Sequence, residues 1–286
     1  MNQKLILGTV QFGLNYGINN SAGKPSGKDA FDILDIASQL GINCLDTADA
    51  YGDSISIIGQ YHKRRDVRFK IQSKFKNVNR GHLAETAKKS LENLNIGEFE
   101  VYSFHSFSDY LDNQNLMSEV IELKSKGLVR KIGISVYTNR ELEKVIEDAN
   151  INVIQLPYNI LDNENLRGII LERIKQKGKE IHIRSVFLQG LFFMDIEDYP
   201  EKLTPLRPYM QTIHHYCKTR SLSIQSLALS YALYNKNIDY VLIGVDTGSQ
   251  LLKNIESIQN HEEAFKFINN TVFVKETDLL NPVNWK

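Results

Sequence analysis

Two cysteines are all that this 286-residue chain contains, and Cys44 and Cys217 lie far apart without the spacing of a metal cage. That argues against a disulfide framework, and no metal site is expected; a reducing compartment is. Cys44 sits in an apolar run and reads as a small core residue. Basic and acidic side chains balance at 34 each, so no net field favours nucleic acid or an acidic membrane surface. Neither is expected as a partner. No run approaches the ~18 apolar residues of a membrane span, and no apolar segment follows a basic start. A soluble, cytoplasmic protein is expected. Low-complexity tracts, Pro-rich linkers and long charge blocks are also missing. So is Gly-x-Gly-x-x-Gly: Gly8, Gly13 and Gly17 follow the first apolar run at the wrong spacing, which excludes a Rossmann-type nucleotide domain.

What the chain does have is alternation. Short apolar runs predict strands over residues 5–11, 43–48, 69–73, 101–104, 131–136, 153–157, 180–186 and 240–245. Several are continuous rather than in-out patterned, as parallel strands buried on both faces require. Helix-period stretches lie between them, at 29–40, 82–94, 116–126, 141–149, 168–177, 224–234 and 250–258. In the first, Ala30, Ile33, Leu34, Ala37 and Leu40 share one side and Gly41 ends it; Gly127 and Gly178 follow two others as C′ residues. The stretch 54–62 is the weakest of the helices. Eight strand-helix units in this length predict an α/β fold, a closed (β/α)8 TIM barrel, as one domain over 1–286.

In such a barrel, chemistry gathers where strands end. Asp46 ends one predicted strand, and Tyr51 follows it just before Gly52. Lys74 closes the next β-type segment and His105 the one after. Taken singly, Asp46 reads as a turn residue, Tyr51 as a packed aromatic, Lys74 as a solvated charge and His105 as a core histidine. Together they form one polar cluster, able to protonate a carbonyl oxygen while hydride arrives from elsewhere.

The run Asp46-Thr47-Ala48-Asp49-Ala50-Tyr51-Gly52 resembles a signature of the aldo-keto reductase family, and further elements match in order over nearly the whole chain. They are Lys74 and His105 on the third and fourth strands, Gly133-Ile134-Ser135, Gln155 with Tyr158-Asn159, and Gly190-Leu191-Phe192. The resemblance implies an NAD(P)H-dependent oxidoreductase acting on an aldehyde or ketone. Tyr51 would be the general acid, and since a phenol near pKa ~10 is a weak one, the Lys74 ammonium would lower it. Asp46 would keep Lys74 charged and oriented, and His105 would position the carbonyl oxygen.

The resemblance also implies an extended nicotinamide dinucleotide, with Ser135 and Gln155 at the carboxamide and Gly190 in the seventh-strand element. Counting back from Gly190 places Arg184 where the family commonly stacks an aromatic on the nicotinamide; Val136 stands where many members carry Asn. Aligning Gln250, Leu251 and Asn254 places Asp246 where an Arg commonly grips a 2′-phosphate, with Lys253 nearby. A carboxylate there suits a free ribose hydroxyl. NADP(H) is expected narrowly ahead of NAD(H). Phe12, Leu14, Tyr16 and Tyr110 are expected to wall a small carbonyl substrate. The long stretch 188–208, with Pro200, Pro205 and Pro208, reads as a covering loop, and Trp285 as an anchor for the tail. The stretch 7–17 resembles members found with surface-sugar biosynthesis, which suggests a sugar-like carbonyl. Two other readings are open: a cofactor-binding regulatory module with little turnover, and a lyase using Lys74 as a Schiff-base amine.

Overall fold

A computed structural model describes residues 2–285. Eight parallel strands close in sequence order: β1 Leu5–Gly8, β2 Cys44–Asp46, β3 Lys70–Phe75, β4 Phe99–Phe104, β5 Val129–Ser135, β6 Val153–Pro157, β7 Glu180–Arg184 and β8 Tyr240–Gly244. β8 pairs back to β1, with Gly8 opposite Gly244. This is the (β/α)8 barrel that the alternation predicts. Among the described residues no helix is long and apolar enough to cross a membrane.

A strand sends successive side chains to opposite faces, and in a closed barrel those faces are the helix layer and the axis. Leu5 and Leu7, Leu45, Ile71 and Phe75 pack outward in the large core shared with the helices. Ile6, Cys44 and Leu242, with Tyr240, form a separate small cluster. Stepping by two from these axial positions reaches Gly8, Asp46 and Gly244; on β3 the step runs Lys70, Gln72, Lys74, and on β7 Glu180, His182, Arg184. The pleat thereby buries Asp46, Gln72, Lys74 and His182, all polar. Burial pushes the Cys44 thiol up to about 12, which leaves it an inert packing group.

The helices follow the same logic on the outside. Gly27–Gln39 opens with a Ser26–Asp29 capping box and buries Ala30, Ile33, Leu34 and Ala37. The weakest expected helix is real and longer than expected, Ser54–Arg64. Gly127 and Gly178 take the left-handed conformation expected of C′ residues, at φ 74° and 70°.

Three expectations need correction. The strand expected over 5–11 stops at Gly8, and Val10–Gly13 coils into a short helix. The stretch 188–208 is a series of 3-10 turns leading into an unexpected helix, Arg207–Thr219, whose buried face is Met210, Ile213 and Cys217. Pro208 lies in its first turn, where the missing N–H costs nothing, so it marks a start rather than a break. A further helix, Glu262–Thr271, follows Gly248–Glu256. Trp285 packs against the main core and donates from Nε1 to the Leu279 carbonyl at 2.8 Å.

Two glycines set the position of the turn that carries Tyr51. A Cβ on Gly13 would lie 1.7 Å from the Tyr51 carbonyl oxygen, and one on Gly52, at φ +50°, 2.5 Å from the Gly13 oxygen. The short helix and the Tyr51 turn thus touch backbone to backbone. We expect Gly13→Ala to lower thermal stability by about 1–3 kcal/mol through overpacking. The control is Gly27→Ala, at a position with no atom within 4 Å of the added carbon. Equal melting temperatures for the two variants would contradict this contact.

Candidate active site

Asp46 is the last residue of β2 and Lys74 the penultimate residue of β3. Their side chains form a buried ion pair, 5% and 3% exposed. Lys74 Nζ also donates to the Thr47 carbonyl at 3.3 Å. From β6, Gln155 Nε2 donates to the other Asp46 oxygen at 2.9 Å, while Gln155 Oε1 is buried without a partner. Ser135 ends β5 directly opposite Gln155. Tyr51 stands above the pair: Lys74 Nζ lies 5.3 Å from the centre of its ring. The His105 ring meets Tyr51 edge-on at 5.8 Å. Its backbone N–H donates to the Phe75 carbonyl, which ties the end of β4 to β3. Beneath the turn, Thr9, Thr47 and Ser54 form a buried hydroxyl chain, with contacts of 2.7 and 3.0 Å.

The structure thus brings Asp46, Tyr51, Lys74 and His105 together. Burial lowers the Lys74 pKa, and Asp46 opposes that shift. Burial raises Tyr51, Asp46 raises it further, and the cation that pulls it down is Arg184. Lys74, 5.3 Å from the centre of the Tyr51 ring, has its charge paired with Asp46. The His105 pKa falls to about 3, first through burial and then through Lys74, Lys76 and Arg184. Its imidazole is therefore neutral near pH 7, with Nδ1 buried and unpartnered.

A cavity of about 380 Å³ opens beside this cluster. Asp46, Tyr51, Gln155 and Arg184 line it, and so do Asp246 from the turn after β8 and Gln250, Lys253 and Asn254 from the helix that follows. Gly8 and Gly244, adjacent on the closing strands, contribute no side chain to it. The loop after β1 covers one flank: Ile18 N–H donates to the Gln189 carbonyl at 3.0 Å, and Asn20 Nδ2 to Asp246 Oδ1 at 3.2 Å. Gly190, at φ 91°, lies against Asn19, close enough that an added Cβ would sit 3.1 Å from the Asn19 Cβ. Gln250 Oε1 accepts from the Asp246 backbone N–H at 2.7 Å, and Asn254 Oδ1 accepts from Gln225.

Several residues sit elsewhere than expected. Phe12 is 0% exposed in the main core, because the helix at Val10–Gly13 turns it inward; it does not wall the cavity. Tyr110 also lies outside the cavity lining, its hydroxyl bonded to Asp148 at 2.9 Å and its ring edge-on to Phe104. Tyr16 does line it. The Arg184 guanidinium lies on the Tyr137 ring, 4.1 Å from its centre. Tyr137 and Asn20 were not singled out from sequence. An aromatic two residues past Ser135 was a usable signal for Tyr137, whereas nothing local marks Asn20.

The chain matches the Aldo/keto reductase family model over residues 4–270. It is 26% identical over 283 residues to L-galactose dehydrogenase of Arabidopsis thaliana, covering 91% of this chain and 87% of that protein. It is 22% identical over 267 residues to the NADH-specific methylglyoxal reductase of Escherichia coli, covering 79% and 82%. Among solved structures, an aldo-keto reductase from Bacillus halodurans in its holo form superposes with a TM-score of 0.73 at 22% identity, over 96% of this chain and 94% of that one. The fold, the strand-end cluster and the near full-length match agree: the chain belongs to the aldo/keto reductase family, NAD(P)H-dependent oxidoreductases of carbonyl compounds.

Proposed function

We propose that this protein reduces an aldehyde or ketone to an alcohol with Tyr51 as general acid. The observation that carries the reading is the convergence of Tyr51, neutral His105 and the Lys74–Asp46 pair beside one cavity. Burial keeps the Tyr51 hydroxyl protonated at neutral pH, so it is a loaded donor. His105, uncharged, holds the carbonyl oxygen by a hydrogen bond. Asp46 keeps Lys74 charged and fixed against the Tyr51 ring.

The residues present fit a nicotinamide dinucleotide. The orphaned Gln155 Oε1 is a buried acceptor in need of an N–H, and Ser135 stands beside it; a carboxamide satisfies that need. Gly190 lets the backbone approach closely, and Asp246, Gln250 and Asn254 line the part of the cavity assigned to the adenosine. When bound, the dinucleotide supplies hydride to the carbonyl carbon. Asp246 is the residue on which cofactor choice turns. A half-buried carboxylate repels a 2′-phosphate and accepts a hydrogen bond from a free ribose hydroxyl, while Lys253 on the same wall works the other way. The sequence favoured NADP(H) narrowly; the likeness to an NADH-specific reductase keeps NAD(H) beside it. For the substrate we infer a sugar-like carbonyl, supported by the likeness to L-galactose dehydrogenase.

Three outcomes are expected. Tyr51→Phe, assayed on small sugars and simple aldehydes, should lose about 10²–10⁴ in turnover with dinucleotide affinity nearly intact. Undiminished turnover would end the proposal. Asp246→Arg should shift the ratio of NADPH to NADH dissociation constants toward NADPH by about tenfold or more, as an exchange of repulsion for attraction requires. An unchanged ratio would place Asp246 away from the 2′ position. Third, His105 should not titrate between pH 5 and 8 when followed by NMR of its ring proton. Because its folded-state pKa is depressed, the stability it contributes is present above about 6.5 and is lost as pH falls toward 3. A His105 midpoint near 6.5 would refute the buried neutral imidazole.

A further inference from the structure

Arg184 ends β7 and lines the cavity beside Tyr51, half-buried. A guanidinium carries five donors and a charge that cannot be removed. Here Nη1 reaches Ser185 Oγ at 3.4 Å and Nη2 the Val136 carbonyl at 3.3 Å, both long contacts to uncharged acceptors. One face rests on Tyr137. Asp162, the carboxylate on which its field is felt, is held by Arg167 at 2.6 and 2.7 Å, and Asp46 in the same cavity is held by Lys74 and Gln155. Among the described residues no carboxylate forms an ion pair with Arg184, and its charge acts on the reacting groups. It depresses the pKa of Lys74 and His105 and opposes the upward shift of Tyr51.

The proton from Tyr51 and the hydride must reach adjacent atoms of one carbonyl, so the nicotinamide ring belongs at this end of the cavity, within the field of Arg184. The oxidised ring is a cation and the reduced ring, which has gained a hydride, is neutral; the rest of the dinucleotide is the same. We infer that Arg184 makes the site discriminate by the redox state of the nicotinamide, retaining the neutral reduced form and weakening the hold on the cationic oxidised form. The inference rests on the dinucleotide reading above. Two like charges a few ångströms apart in a half-buried site separate the two affinities by about tenfold or more. The same charge favours the negative charge that develops on the carbonyl oxygen, and the oxidised product of each turnover is the form the site holds less well.

The test is calorimetric titration of the purified protein with NADH, NAD+, NADPH and NADP+, for the wild type, Arg184→Met and Arg184→Lys. The wild type should bind the reduced member of at least one pair about tenfold or more tightly than the oxidised member. Arg184→Met should narrow that gap about tenfold by strengthening the oxidised form, and Arg184→Lys should keep it. Arg184→Gln replaces Arg184→Met if the latter does not fold. An unchanged gap in the uncharged variant overturns the inference. So does equal narrowing in the Lys variant, which would assign the effect to shape rather than charge. Binding of neither form to the wild type would remove the dinucleotide reading itself and this inference with it.

Discussion

The buried pairing of Lys74 with Asp46 is the interaction on which the top of the barrel depends. Two ions removed from water need near-complete compensation, and here it comes from three strands: β3 supplies the ammonium, β2 the carboxylate and β6 the amide on its second oxygen. Removing either charge would strand the other at a cost of about 3–5 kcal/mol. The pair therefore specifies register as well as chemistry. A one-residue slip of β3 would send Lys74 into the apolar layer and bring Ser73 to the axis.

The barrel axis is polar well below the site. Lys131 sits between Glu100 at 3.3 Å and Glu180 at 2.8 Å, and His182 Nδ1 meets Gln72 Oε1 at 3.0 Å. Among the described residues Ile6, Cys44 and Leu242, with Tyr240, form a small separate apolar cluster on the axial positions. The apolar burial that stabilises the fold lies mainly in the outer layer, between strands and helices. The axis is thereby free to carry charge, and the site is its upper end.

Much of this was legible in the sequence because it is periodic. Asp46, Lys74, Gln155 and Arg184 fall on one face by counting in twos, and the run ending in Tyr51-Gly52 marks the turn. What was not legible depends on directions taken after a strand ends. Gly8 is followed by a helix rather than more strand, and that turn carries Phe12 into the core. Arg184 leans on Tyr137 instead of standing alone at its strand end. The Asn20–Asp246 bond joins loops that are neighbours only once the barrel has closed. In Arg207–Thr219 a helical apolar spacing was present but overshadowed by prolines, which mark breaks in most contexts.

Where β1 closes on β8, Gly8 and Gly244 carry no side chain of their own and the neutral Gln11 amide lies over Gly244, so that side of the opening is walled by backbone and one amide. A flat carbonyl pinned at its oxygen by Tyr51 and His105 cannot present both faces to that opening. On the proposed reading, reduction is one-sided, and a prochiral ketone leaves as an alcohol of a single handedness. The asymmetry of the product would then originate in the uncharged side of the mouth, where Gln11 lies over Gly244.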